Sequence, residues 1–97
     1  MDMSMIMRQA QKMQTDLKKT QKKLESTIYE GTSNGISVKI NGKNECQEIS
    51  IPDELMDDKE MLQDMLMIAF NNAAEACAKD RENQLGGLTA GLNIPGM

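Results

Sequence analysis

The chain has 97 residues, with 15 acidic and 11 basic side chains and a formal net charge of −4 at pH 7, which limits it to one domain with a thin core. It contains no histidine and two cysteines, which excludes Ser–His and Cys–His nucleophiles and a closed zinc site within one chain. No apolar run approaches the roughly 18 residues that a membrane span needs.

Residues 4–25 read as a long helix. Ile6, Ala10, Met13, Leu17 and Leu24, with Thr20 between, recur at steps of three and four. Gln, Lys, Met and Leu dominate the segment, and all favour helix. The apolar stripe is narrow, close to a coiled-coil seam, so this helix is expected to project with part of its length uncovered. On the other side lie Arg8, Lys12, Lys18, Lys19, Lys22 and Lys23, in an arc of roughly 140° at about 100° per residue. Residues 1–25 carry six basic and three acidic side chains, or +3; residues 26–97 carry five and twelve, or −7. A basic rod is thus attached to an acidic body, and the acidic total does not exclude a polyanionic partner.

Ser26-Thr27-Ile28-Tyr29-Glu30 is rich in β-branched and aromatic residues, and Thr32-Ser33-Asn34-Gly35 has turn chemistry. Ile36-Ser37-Val38-Lys39-Ile40 alternates as a half-buried strand with Ser37 and Lys39 outward. Asn41-Gly42 is a strong hairpin signal. Glu45 to Ile51 alternates again, with Ile49 and Ile51 on one side, and Pro52 ends the strand because it lacks the ladder donor. The prediction is a three-stranded antiparallel meander with one wet face.

Asp57 as N-cap, with Glu60 three residues on, resembles a capping box that opens a second long helix running to about Asn83. Its apolar residues, from Met61 to Cys77, cover roughly 200° of the helix, against about 100° for an ordinary packing stripe. Such a helix is covered from two directions, by the strands on one side and by a twofold mate on the other. The interface of that homodimer is expected at Leu62, Met65, Leu66, Ala69, Phe70 and Ala73. Tyr29 and Phe70 are the only aromatic residues, and ten methionines do much of the apolar work; a core this adaptable calls for a partner subunit. Residues 86–97 are Gly-rich and uncharged, which predicts a flexible tail after a single domain spanning 1–85. The element order makes the fold α+β, α-β-β-β-α.

The remaining chemistry is sparse. Cys46 and Cys77 read as small buried residues. The acidic group Asp53, Glu54, Asp57, Asp58 and Glu60 matches no calcium loop and is accounted for by helix capping. Lys79 and Arg81 alternate with Asp80 and Glu82, as on a solvated helix end. No Gly-rich phosphate loop follows a strand. No enzyme activity, cofactor, metal or small-molecule substrate is expected. The Met-rich start lacks the basic n-region of a signal peptide, so the expected location is the cytoplasm.

Several segments carry a family resemblance in their order and spacing. Arg8-Gln9-Ala10-Gln11-Lys12-Met13-Gln14 is similar to the first-helix signature of the YbaB/EbfC family of nucleoid-associated proteins. Val38-Lys39-Ile40-Asn41-Gly42 resembles its central hairpin. Ile51 through Ala74 resembles its acidic turn, acidic helix start and Ala-Phe-Asn-x-Ala segment. Leu88-Thr89-Ala90-Gly91-Leu92 and Pro95-Gly96 fit its tail. The chain departs in having Thr32-Ser33-Asn34-Gly35 where the family has a richer glycine run, Pro52 ahead of Asp53, and Asn72 where Asp is usual. The resemblance implies a tweezer-like homodimer with paired projecting helices, binding to DNA, and a part in nucleoid organisation or gene expression.

The residues fit that implication. Five lysines to one arginine on the first helix suit phosphate contact better than base reading. The helix has no aromatic residue on which single-stranded bases would stack, so the expected partner is double-stranded DNA. The competing expectation is a dimeric scaffold or chaperone-like adaptor that grips another protein, using Met3, Met5, Met7 and Met13 as a soft surface.

Overall fold

The computed structural model describes residues 3–90. In chain order these form α1 (Met3–Ser26), β1 (Ile28–Ser33), β2 (Ile36–Asn41), β3 (Cys46–Ser50), a short 3-10 helix (Asp53–Asp57) and α2 (Lys59–Ala90). The expected α-β-β-β-α order is present. The strands make one antiparallel sheet in the order β1-β2-β3, with Gly31 opposite Val38 and Val38 opposite Ile49.

The two hairpins differ from the simplest reading of their sequences. The two-residue turn is Asn34-Gly35, with φ of 48° and 87°, the left-handed pair that matches strand twist. Asn41-Gly42 instead opens a longer loop before β3. There the Asn41 Oδ1 accepts from the backbone N–H of Lys43 at 2.9 Å and of Glu45 at 3.1 Å, and Asn44 takes the positive φ of 63°. Gly42 meets a demand for space: a Cβ there would fall on the backbone of Leu24 and Glu25 at the end of α1.

One face of the sheet is the core. Tyr29, Ile36, Val38 and Ile40 from the strands pack with Leu55, Ala69, Ala73 and Cys77. Period-two alternation puts Tyr29 and Gly31 of β1 inward and Ile28, Glu30 and Thr32 outward,. On the outer face Lys39 pairs with Glu48 across the strands at 3.2 Å. The helix α2 lies over β1 and β2 but not β3, so every residue of β3 is exposed. Cys46 is therefore exposed, contrary to expectation, while Cys77 is buried as expected. The register places Cys46 on β3, beyond the reach of the helix.

Both ends of α2 differ from prediction. The N-cap is Asp58, whose Oδ1 accepts from the Met61 N–H at 3.1 Å; Asp57 closes the 3-10 helix that precedes it. At the other end α2 passes the expected stop at Asn83 and runs through Gly86-Gly87 to Ala90. Each glycine costs a helix about 1 kcal/mol relative to alanine, and no proline intervenes before Pro95. The rest of the expected tail, residues 91–97, lies outside the described residues.

The molecule is long: its radius of gyration is 19.2 Å and its extents are 70 × 26 × 13 Å, whereas a compact domain of this length has a radius near 13 Å. The elongation comes from α1, which among the helices and strands described touches only α2 and β2.

Candidate nucleic-acid interface

Within α1 the first fully buried residue is Leu24. Met13, Asp16, Leu17 and Thr20 are half-buried, and Arg8, Lys12, Lys18, Lys19, Lys22 and Lys23 are all exposed. At about 100° per residue, Met13, Leu17, Thr20 and Leu24 lie on the side away from the six cations, whereas Asp16 lies at the edge of their arc, about 20° from Lys23. The predicted seam is therefore occupied from Met13 onward. Its outer members Ile6 and Ala10 are exposed, Ile6 by 49%, because α1 runs beyond its cover.

Among the described residues, none of the six cations takes part in an ion pair. Asp16 borders the cationic face but is half-buried and, among the described residues, forms no ion pair with it. Only Lys23, at the foot of the helix, is close enough to Asp80 to favour that carboxylate's charge. From Arg8 to Lys23 the row spans about 22 Å at 1.5 Å per residue. A duplex strand presents a phosphate roughly every 3.4 Å along its axis, so the row matches several of them.

The foot of α1 is braced by groups that the sequence alone did not single out. Its last carbonyls are met by side chains: the Thr27 hydroxyl donates to the Lys23 carbonyl at 2.5 Å and the Ser26 hydroxyl to the Lys22 carbonyl at 3.1 Å. The guanidinium of Arg81 donates to the Gly42 carbonyl. The Tyr29 hydroxyl donates to Asp80 Oδ2 at 2.6 Å, and Gln84 reaches the other Asp80 oxygen at 3.3 Å. Burial, with the bond to Asp80, pushes the Tyr29 hydroxyl up to about 12. The Tyr29 hydroxyl, then the Gln84 amide, hold the Asp80 carboxyl below its usual range. Asp80 and Arg81 thus brace the arm and are not the solvated helix end expected for them. Their alternating charges looked like an ordinary surface pattern; only the fold brings Tyr29 and Gly42 to meet them.

The residues expected at a dimer interface divide into two groups. Ala69 and Ala73 are completely buried within the chain, because Gly31 of β1 lies directly against their backbone. They belong to the protomer's own core, a correction to the expected interface. Leu62, Met65 and Leu66 are half-buried and pack on that core, and Phe70 is 38% exposed. Where β3 extends past α2, a groove of about 410 Å³ opens between Val38, Cys46 and Ile49 on the sheet and Leu66, Met67 and Phe70 on the helix. Met67 was not singled out and Ile49 was read only as one side of a strand, since a helical wheel does not tell where the sheet overhangs.

Among the described residues, no three His, Cys, Asp or Glu side chains are grouped to hold a metal ion, and no helix is long and apolar enough to cross a membrane.

The sequence profile of the YbaB/EbfC DNA-binding family matches residues 1–92. A nucleoid-associated protein of Alkaliphilus metalliredigens is 42% identical, with 99% of this chain and 88% of that one aligned. Another, from Chloroflexus aurantiacus, is 43% identical over 95% of this chain and 96% of its own. The crystal structure of an uncharacterized protein from Helicobacter pylori superposes with a TM-score of 0.76 at 30% identity, covering 91% of this chain and 97% of the other.

Proposed function

The chain belongs to the YbaB/EbfC DNA-binding family, and from that premise we propose that it is a nucleoid-associated protein that grips double-stranded DNA with α1, mainly through phosphates, as a homodimer. The observation that carries this reading is the exposed cationic face of a helix projecting from an acidic body, with its amines free of ion pairs among the described residues. Lysines supply charge without the forked donor geometry that reads base edges. The activity is therefore placement on the duplex with little direct sequence readout, suited to organising the nucleoid in the cytoplasm and to influencing gene expression through access to DNA.

The test is a titration of specific and random duplexes at several salt concentrations. Engagement of about four to six phosphates gives a log–log salt slope near −4 to −5, with closely similar slopes for the two duplexes. An affinity independent of salt contradicts the proposal.

The second copy is assigned to the groove between β3 and α2. This region keeps Ile49, Met67 and Phe70 at 47, 58 and 38% exposure, and it is continuous with the core through Val38 and Leu66. Charging the groove with Met67→Glu and Phe70→Glu is expected to give a monomer in sedimentation at low micromolar concentration, with the helix content unchanged. Losing the burial of two large apolar side chains, each worth about 1.5–3 kcal/mol, weakens association by about 10²- to 10⁴-fold. A dimer as tight as the wild type places the interface elsewhere.

A further inference from the structure

At the foot of α1, a cleft of about 380 Å³ is lined by Gln21, Leu24 and Glu25 of α1, Gly42 and Lys43 of the β2–β3 loop, and Arg81 and Leu85 of α2. Lys43 lies on this loop, outside the charge row of the helix. Its amine is exposed and unpaired among the described residues.

The loop that carries it is held on three sides. The Asn41 side chain binds the Lys43 and Glu45 backbone N–H groups from within. Its amide also donates to the Glu45 carboxylate at 2.9 Å, which occupies the loop's own acid. Gly42 presses on the last turn of α1 and accepts from Arg81. The backbone bearing Lys43 is thus fixed relative to α1 before any ligand arrives, and little ordering is needed to use it.

Its position on the helix is also defined. Gln21 and Glu25 are each about 60° round α1 from Lys18 and Lys22 respectively. The cleft therefore opens beside the edge of the cationic arc, and Lys43 continues that arc from the arm onto the body.

We infer that Lys43 is a further phosphate-binding residue, which receives the DNA backbone at the foot of α1 after it leaves Lys18 and Lys22. The inference rests on the proposed gripping of DNA by α1. Glu25, on the rim of the same cleft, opposes the phosphate and limits the affinity.

Three variants of the full chain separate this inference from the reading it depends on, with K79Q as a control on an exposed lysine paired to Glu75. With random duplex DNA, K43Q is expected to reduce the magnitude of the log–log salt slope by about 0.9, one phosphate, and K18Q/K22Q by about 1.8. E25Q is expected to bind more tightly than wild type at the same salt. If K43Q and E25Q both bind as wild type while K18Q/K22Q loses its contacts, the role of Lys43 is overturned and that of α1 stands. If K18Q/K22Q also binds as wild type, the reading of α1 is overturned and this inference with it. Thermal melts of each variant exclude a folding defect as the source of any loss.

Discussion

Gly31→Ala is expected to destabilise the protein by about 3 kcal/mol or more, the upper end of what one added carbon costs in a packed interior. The position is on the inward side of β1, and the new Cβ would fall on the Ala69 carbonyl oxygen and the Ala73 backbone nitrogen. Those atoms belong to the backbone of α2, so no side chain can swing away, and relief requires the helix to lift off the sheet. Lifting it uncovers Val38 and Ile40, both completely buried. It also breaks the bond from the Asn72 amide to the Thr32 carbonyl at 3.1 Å. For a domain of this size the loss corresponds to a drop of about 12 °C or more in melting temperature. It removes a large part of the roughly 5–15 kcal/mol that a small domain has in total. The denaturant midpoint of Gly31→Ala measures it. A midpoint equal to that of the wild type means that α2 does not sit on β1 in this way.

Nothing in the sequence marked Gly31 as different from the other glycines. Its neighbours Glu30 and Thr32 read simply as the end of a strand and the start of a turn. The requirement at Gly31 arises from a helix 40 residues away, whose alanines bring it close, and such a contact has no local pattern. The elements whose signals are local were legible: the alternation of Ile36 to Ile40, the turn at Asn34-Gly35, and the stripe of Met13, Leu17 and Leu24. The end of α2 was misread for a physical reason. Glycines forecast a stop, but the penalty at Gly86 and Gly87 is only about 1 kcal/mol each, and the helix continues through both,. For the interface, the 200° apolar width of α2 is more than the sheet takes up, and Met67, Ile68 and Phe70 stay exposed. That width did not tell which residues the sheet would take, and the sheet took Ala69 and Ala73. The cationic face of α1 was the most legible feature, because the charges and the seam lie on a single helix whose angular spacing is fixed.

That same regularity makes the lysine row the most informative target for mutation. Replacing Lys18, Lys19, Lys22 and Lys23 together with Gln removes four of the six cations, and is expected to bring the salt slope from near −4 or −5 to near −1. At 0.1 M salt the counterion-release contribution of four contacts is about four thousandfold in affinity, so binding to random duplex should nearly vanish in a gel shift. The fold should respond in the opposite direction. All four side chains are exposed and Gln is a good helix former. Lys18 and Lys22, and Lys19 and Lys23, are like-charged pairs at i and i+4, each of which costs a helix about 0.2–0.5 kcal/mol. The favourable field between Lys23 and Asp80 offsets a little of this gain. The variant should therefore melt at or slightly above the wild-type temperature while losing DNA. A loss of both would trace to structure, whereas unchanged binding would remove α1 from the interface. Loss of DNA with the fold intact is the outcome that only a phosphate-gripping arm produces.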